Sequence, residues 1–182
     1  MTRAALALLG TALSTCLVEQ PAQAQSPARG AAAAPSARPV PATLAQLMKG
    51  TLYPASNVVF AGQDQNPADV PRAKDPNMAT DLLASSYGKW EAVENSALAI
   101  AEVAALLTLP GRKCSNGLEV PLRNADWSKF VQELREAGMT AFAAAQAKNQ
   151  DKITDAAGVM TTACAHCHEK YRDKASLANR CK

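Results

Sequence analysis

Cys164, Cys167 and His168 are the residues of this chain whose types and spacing point most directly to chemistry. They stand in the run Cys164-Ala165-His166-Cys167-His168, and C-x-x-C-H is the attachment signature for c-type haem. Such attachment needs two thiols, each adding across a haem vinyl group, and an imidazole that reaches the iron. On a helix, positions i, i+3 and i+4 share a face. The two thiols and the His168 ring therefore converge on one patch, while Ala165 and His166 point elsewhere and His166 reads as solvent-facing. Two other readings use the same cysteines. A redox-active dithiol needs a thioredoxin-like βαβ setting, which the pattern lacks. A zinc site would draw its remaining ligands from His168, Cys114 or Cys181.

The elements that must present this patch read as helices. The chain has 182 residues, enough for one domain with a sizeable core, and is 48% apolar but only 4% aromatic. Alanine supplies much of the apolar share, and an Ala-rich, aromatic-poor core suits close-packed helices better than a sheet. The net charge of +3 gives neither a nucleic-acid footprint nor a polybasic membrane patch.

The first 24 residues read as an export signal. Arg3 supplies the positive start, an uncharged apolar stretch follows, and Ala22-Gln23-Ala24 is a small-x-small cleavage site. The stretch is too short for a comfortable membrane span. A competing reading makes Cys16 a lipoprotein cysteine, against which Thr15 is a poor preceding residue. Cleavage after Ala24 leaves a chain outside the cytoplasm, in the periplasm, with an unchanged charge of +3 and without a membrane span. Residues 25–42, rich in Ala and Pro, read as a disordered linker that cannot bury a core. The folded domain is expected over 43–182.

Thr43 is placed to cap a first helix through Leu44, Leu47 and Met48, which Gly50 weakens and Pro54 breaks or kinks. Residues 61–77, with Pro67, Pro71 and Pro76, read as a loop. A second helix is predicted over about 77–109, with Leu83, Tyr87, Trp90, Val93, Ala97, Ile100, Ala104 and Leu107 on one apolar face. Pro110-Gly111 ends it. Asn124 is placed to cap a third helix, with Asp126 in its first turn and Trp127, Phe130, Val131, Leu134, Gly138 and Phe142 inward. A turn near Asn149 leads to a fourth helix carrying Ile153, Ala157, Met160, Cys164, Cys167 and Tyr171. The expected fold is all-α, an antiparallel four-helix bundle. Its alternating directions put the start of helix one, the end of helix two, the start of helix three and the end of helix four at one end.

With Cys164-Ala165-His166-Cys167-His168-Glu169-Lys170-Tyr171-Arg172 closing a fourth helix, the chain resembles the cytochrome c-prime and cytochrome c-556 family, the class II c-type cytochromes. Trp90, Val93, Glu94 and Pro110-Gly111 are also similar to that family's second helix. The resemblance spans roughly residues 43–175, and the haem motif is its specific part. It implies haem near one end of the bundle and His168 as one axial ligand. It also implies Arg172 and Tyr171 near the haem, although Arg172 equally fits a solvated cation at a helix C-terminus. The family's first helix is usually long and continuous, and Pro54 departs from that.

The iron's sixth position decides between functions. Both histidines lie inside the motif, which leaves methionine or a vacant site. Met160 shares a helix with His168, and Met78 and Met139 fall toward the other end. Met48 falls at the haem end. In the low-spin branch of the family the ligand is a Met early in helix one, and Gln46-Leu47-Met48-Lys49 looks like that segment. A Met on an apolar helix face is otherwise core filler. Methionine ligation closes the iron and favours one-electron transfer to a redox partner protein, and a vacant site favours NO or CO binding. An exported domain holding structural zinc is the third reading. An enzyme in its own right is not expected, for want of a distal acid–base pair. Arg112, Lys113, Lys170, Arg172 and Lys174 offer a charge cluster for the partner, or an ordinary solvated surface. The family's frequent dimers make a homodimer an option. The topology also brings Cys114 and Cys181 to one end, within reach of a disulfide.

Overall fold

The computed structural model describes residues 40–173 together with Ser176, Arg180 and Cys181. The expected signal peptide, Cys16, nearly all of the linker, and Lys174 lie outside the described residues. Helix α1 (Leu44–Leu47) starts at Thr43, whose side chain accepts from the Gln46 backbone while the Gln46 side chain accepts from the Thr43 N–H. This is a capping box, with two helix-end donors satisfied reciprocally.

The α ladder is interrupted just before Pro54, as expected, but by a π turn and not by an end of the helix. The chain widens into a π turn over Met48–Leu52 and continues into α2 (Tyr53–Asp64), so the first rod runs into the start of the expected 61–77 loop and ends at Asp64. Proline cannot donate to the carbonyl four residues back and its ring collides with it. In the π turn the Tyr53 N–H bonds five residues back, to Met48. Pro54 then falls in the first turn of α2, where proline is tolerated.

The second helix is shorter than predicted. It is α3 (Trp90–Leu106), and the segment before it makes single 3₁₀ turns at Pro76–Met78 and Leu82–Ala84. The cause is local competition for the backbone. Asp75 accepts from the Asn77 N–H, Asp81 accepts from the Leu83 N–H, and the Ser85 hydroxyl donates to the Leu82 carbonyl. Gly88 seals the segment, since a Cβ there would lie 2.3 Å from the Leu83 carbonyl oxygen. Tyr87, expected on the buried face, is 71% exposed.

Helices α4 (Ala125–Gln146) and α5 (Gln150–His168) complete the set, and a second π turn, Glu169–Asp173, follows His168. Asn149 caps α5 by accepting from the Lys152 N–H. Asn124 stands at the start of α4 with its side chain uncommitted to the cap. The fold is all-helical among the described residues, with four helices packed together: the first rod and α5 close a circuit through α3 and α4. Val59, Val93, Ala97, Ile100, Ala137, Ala141, Ile153 and Met160 are among its innermost side chains. Alanine and glycine let α3 and α4 approach closely. No described helix is long and apolar enough to cross a membrane.

Candidate cofactor site

A cavity of about 700 Å³ lies where the helix ends meet. Leu44, Met48 and Leu52 line it from the first rod, Ile100 and Leu107 from the end of α3, and Trp127, Phe130, Val131 and Leu134 from the start of α4. The end of α5 and the turn after it contribute Met160, Ala163, Cys164, Cys167, His168, Tyr171 and Arg172. Residues from the first rod, α3, α4 and α5 thus wall one space, of a size ordinary for a small-molecule or cofactor site. Met78 and Met139 are exposed and do not line it.

Cys164 and Cys167 are free thiols, both partly buried against the core. Burial raises the Cys164 pKa, and it pushes Cys167 up to about 11, helped by the charges of Cys164 and Asp126 and opposed by Arg172. Both therefore stay protonated near neutral pH. Burial lowers the His168 pKa, and Arg172 beside it acts in the same direction. The ring is thus held neutral, with a lone pair to give to a metal. The donor set fits a covalently attached haem: two thiols and one neutral imidazole on a single wall of a mostly apolar cavity. Cys114 and Cys181 are joined in a disulfide with Cα atoms 5.1 Å apart, so their sulfurs are not available to complete a zinc site.

Tyr171 is fixed from several sides. Its ring meets Trp127 edge-on at 5.1 Å, and Trp127 in turn donates its indole N–H to the Leu107 carbonyl. Its hydroxyl donates to Asp126 at 2.5 Å and accepts from the Asn124 amide at 3.1 Å. Sequence reasoning read Asn124 as a cap and Asp126 as a helix-dipole residue, and missed that both reach the cavity wall through Tyr171. Arg172 lines the cavity but spends its guanidinium on Asp173, at 2.7 and 3.0 Å. Arg180, also unforeseen, lines the cavity from the tail that the disulfide holds. His166 is exposed as expected, yet it is no bystander: its Nδ1 lies 2.8 Å from Glu133 on α4.

Of the expected cationic cluster, Arg112 is withdrawn from the surface and Lys113 and Lys170 have acidic partners. Arg112 is 3% exposed and donates to the carbonyls of Leu106 and Ala42 at 3.1 and 2.6 Å. Lys113 pairs with Glu119 and Lys170 with Asp126. No family model matches the chain, and no curated protein or solved structure matches it either.

Proposed function

We propose that this chain is an exported monohaem c-type cytochrome that carries single electrons, built as an antiparallel four-helix bundle with haem near one end. The observation that carries the reading is that Cys164, Cys167 and His168 line the same apolar cavity as Met48, which comes from a different helix. Haem bound there would supply an iron that cycles between ferrous and ferric states. The two thiols would hold it by adding S–H across its vinyl groups, without oxidation or reduction. His168 and Met48 would both hold the iron. Leu44, Leu52, Phe130 and Leu134 keep water from the cavity, and a drier site disfavours the more highly charged ferric state. Trp127, Asp126 and Asn124 hold Tyr171 against that wall.

The test is the visible spectrum of the oxidised and reduced protein, with and without CO, alongside haem staining after denaturing electrophoresis. The expected result is haem that survives denaturation and a low-spin spectrum indifferent to CO. A high-spin spectrum that shifts with CO would replace the electron carrier by a five-coordinate gas-binding protein. Absence of covalent haem would remove both.

A further inference from the structure

We infer that Pro54, acting through the π turn it enforces, is the positioning residue that sets Met48 toward the cavity. The inference rests on the proposed haem site and deepens it. Met48 is the first residue of the π turn, and its carbonyl accepts the wide bond from the Tyr53 N–H. The turn spans Met48–Leu52 and closes immediately before Tyr53 and Pro54. An α-helical path through this point would oppose the Pro54 ring to the Gly50 carbonyl and leave that carbonyl without its N–H partner. Opening the turn by one residue gives the ring room to pass that carbonyl, which at the exposed Gly50 water can satisfy.

The surplus sits on the outside. Gly50 and Pro54 are exposed and do not line the cavity, and a Cβ on Gly50 would meet nothing within 4 Å, while Lys49 and Tyr53 are exposed at its rim. On the inside, Leu44 and Leu47 before the turn and Leu52, Ala55, Val58 and Val59 after it are all buried. Both halves of the rod are therefore anchored in the core, with the extra residue taken up between them. π turns of this kind often mark functional sites. One residue of α-helix turns the chain by roughly 100°. Returning the turn to α geometry must therefore rotate the Met48 end against the α2 end by an amount approaching that figure. Leu44, Leu47 and Met48 sit on the short end, which has less core to hold it. A rotation of that size carries the Met48 side chain off the cavity wall.

The experiment uses the haem-loaded full chain and compares wild type with Pro54→Ala, Pro54→Gln and Met48→Ala. The readouts are the methionine-to-ferric-iron charge-transfer band, CO binding to the reduced protein, and the thermal unfolding midpoint. Both Pro54 variants restore the missing N–H with a good helix former, and the midpoint establishes that each stays folded while Leu44 and Leu47, buried in the wild type, shift with the Met48 end. The expected result is that they nonetheless lose the methionine band and gain CO binding, as Met48→Ala does. If Met48→Ala changes the spectrum while both Pro54 variants keep the wild-type band, the positioning role of Pro54 is overturned and Met48 stands as ligand. If the spectrum is indifferent to Met48→Ala, Met48 is not the ligand, and the inference goes with it.

Discussion

At the scale of single residues, the cavity wall is set by hydrogen bonds that cross between helices. Asp126 illustrates this: its carboxylate pairs with Lys170 and accepts from Tyr171, and these two bonds, Lys170 first, hold its pKa below the usual carboxylate value of 3.8. A carboxyl depressed in the folded state stabilises the fold above its unfolded pKa, and that contribution is lost as pH falls through the lower folded value. Asp126→Asn should therefore be less stable than wild type at neutral pH, and the gap should shrink as the pH is lowered below about 4. Urea unfolding of the two proteins across that window checks it. A gap that persists unchanged to pH 2 would mean that the pairing contributes nothing through charge. Arg112 makes the opposite case, a cation used only for structure. Arg112→Ala leaves the Leu106 and Ala42 carbonyls without their donors, at a cost of about 1–3 kcal/mol each where water cannot replace it. The variant should melt earlier and leave the rate of electron exchange with a small soluble redox dye unchanged, as stopped-flow mixing can establish.

At the scale of elements, what could be read from sequence depended on how local the cause was. The C-x-x-C-H spacing is local, and any helix carries Cys164, Cys167 and His168 to one face. The Thr43 and Asn149 starts were legible for the same reason, since each bond closes within three residues. Apolar periodicity found the buried side of α3 from Trp90 to Leu107 but ran on into 77–89, where it has no authority. There Asp75, Asp81 and Ser85 bind their own backbone, so Leu83 is buried as expected but from a 3₁₀ turn, and Tyr87 is exposed. Pro54 gave the place of the interruption but not its form, because the rule against proline in helices assumes α geometry and a π turn lets the chain continue. The Tyr171 contacts and the His166–Glu133 pair were beyond reach, since their partners come from α4. A close helix–helix contact is likewise long-range: a Cβ on Gly138 would lie 2.8 Å from the Ala101 nitrogen and 3.0 Å from the Ala97 oxygen of α3. Gly138→Ala gains up to about 1 kcal/mol in helix propensity. It should lose more, about 1–3 kcal/mol, by forcing two backbones apart. The expected outcome is a net fall in unfolding free energy by denaturant titration, and a more stable variant would show that the α3–α4 contact yields without cost.

At the scale of the whole molecule, the two ends of the cavity wall belong to distant parts of the chain, and one covalent bond joins them. Cys114 sits in the connection between α3 and α4, and Cys181 follows the turn that carries Tyr171 and Arg172, 67 residues later in sequence. Around that bond, the Cys181 N–H donates to the Tyr171 carbonyl at 3.1 Å and the Asn116 amide to the Arg180 carbonyl at 2.7 Å. Those hydrogen bonds are each worth about 1 kcal/mol net, and without the crosslink they would have to order a free tail against backbone entropy of about 1–2 kcal/mol per residue. The bonds alone lose that contest, so the disulfide decides whether Arg180 and Cys181 wall the cavity. Closing a loop of this length should stabilise the fold by about 4 kcal/mol on the chain-entropy account. The double variant Cys114→Ser, Cys181→Ser is thus expected to unfold at markedly lower denaturant. Amide exchange at Arg180 and Cys181 should become fast, while α3, α4 and α5 keep their protection. Unchanged protection of the tail would mean that the hydrogen bonds suffice, and the disulfide would then act on the unfolded chain alone.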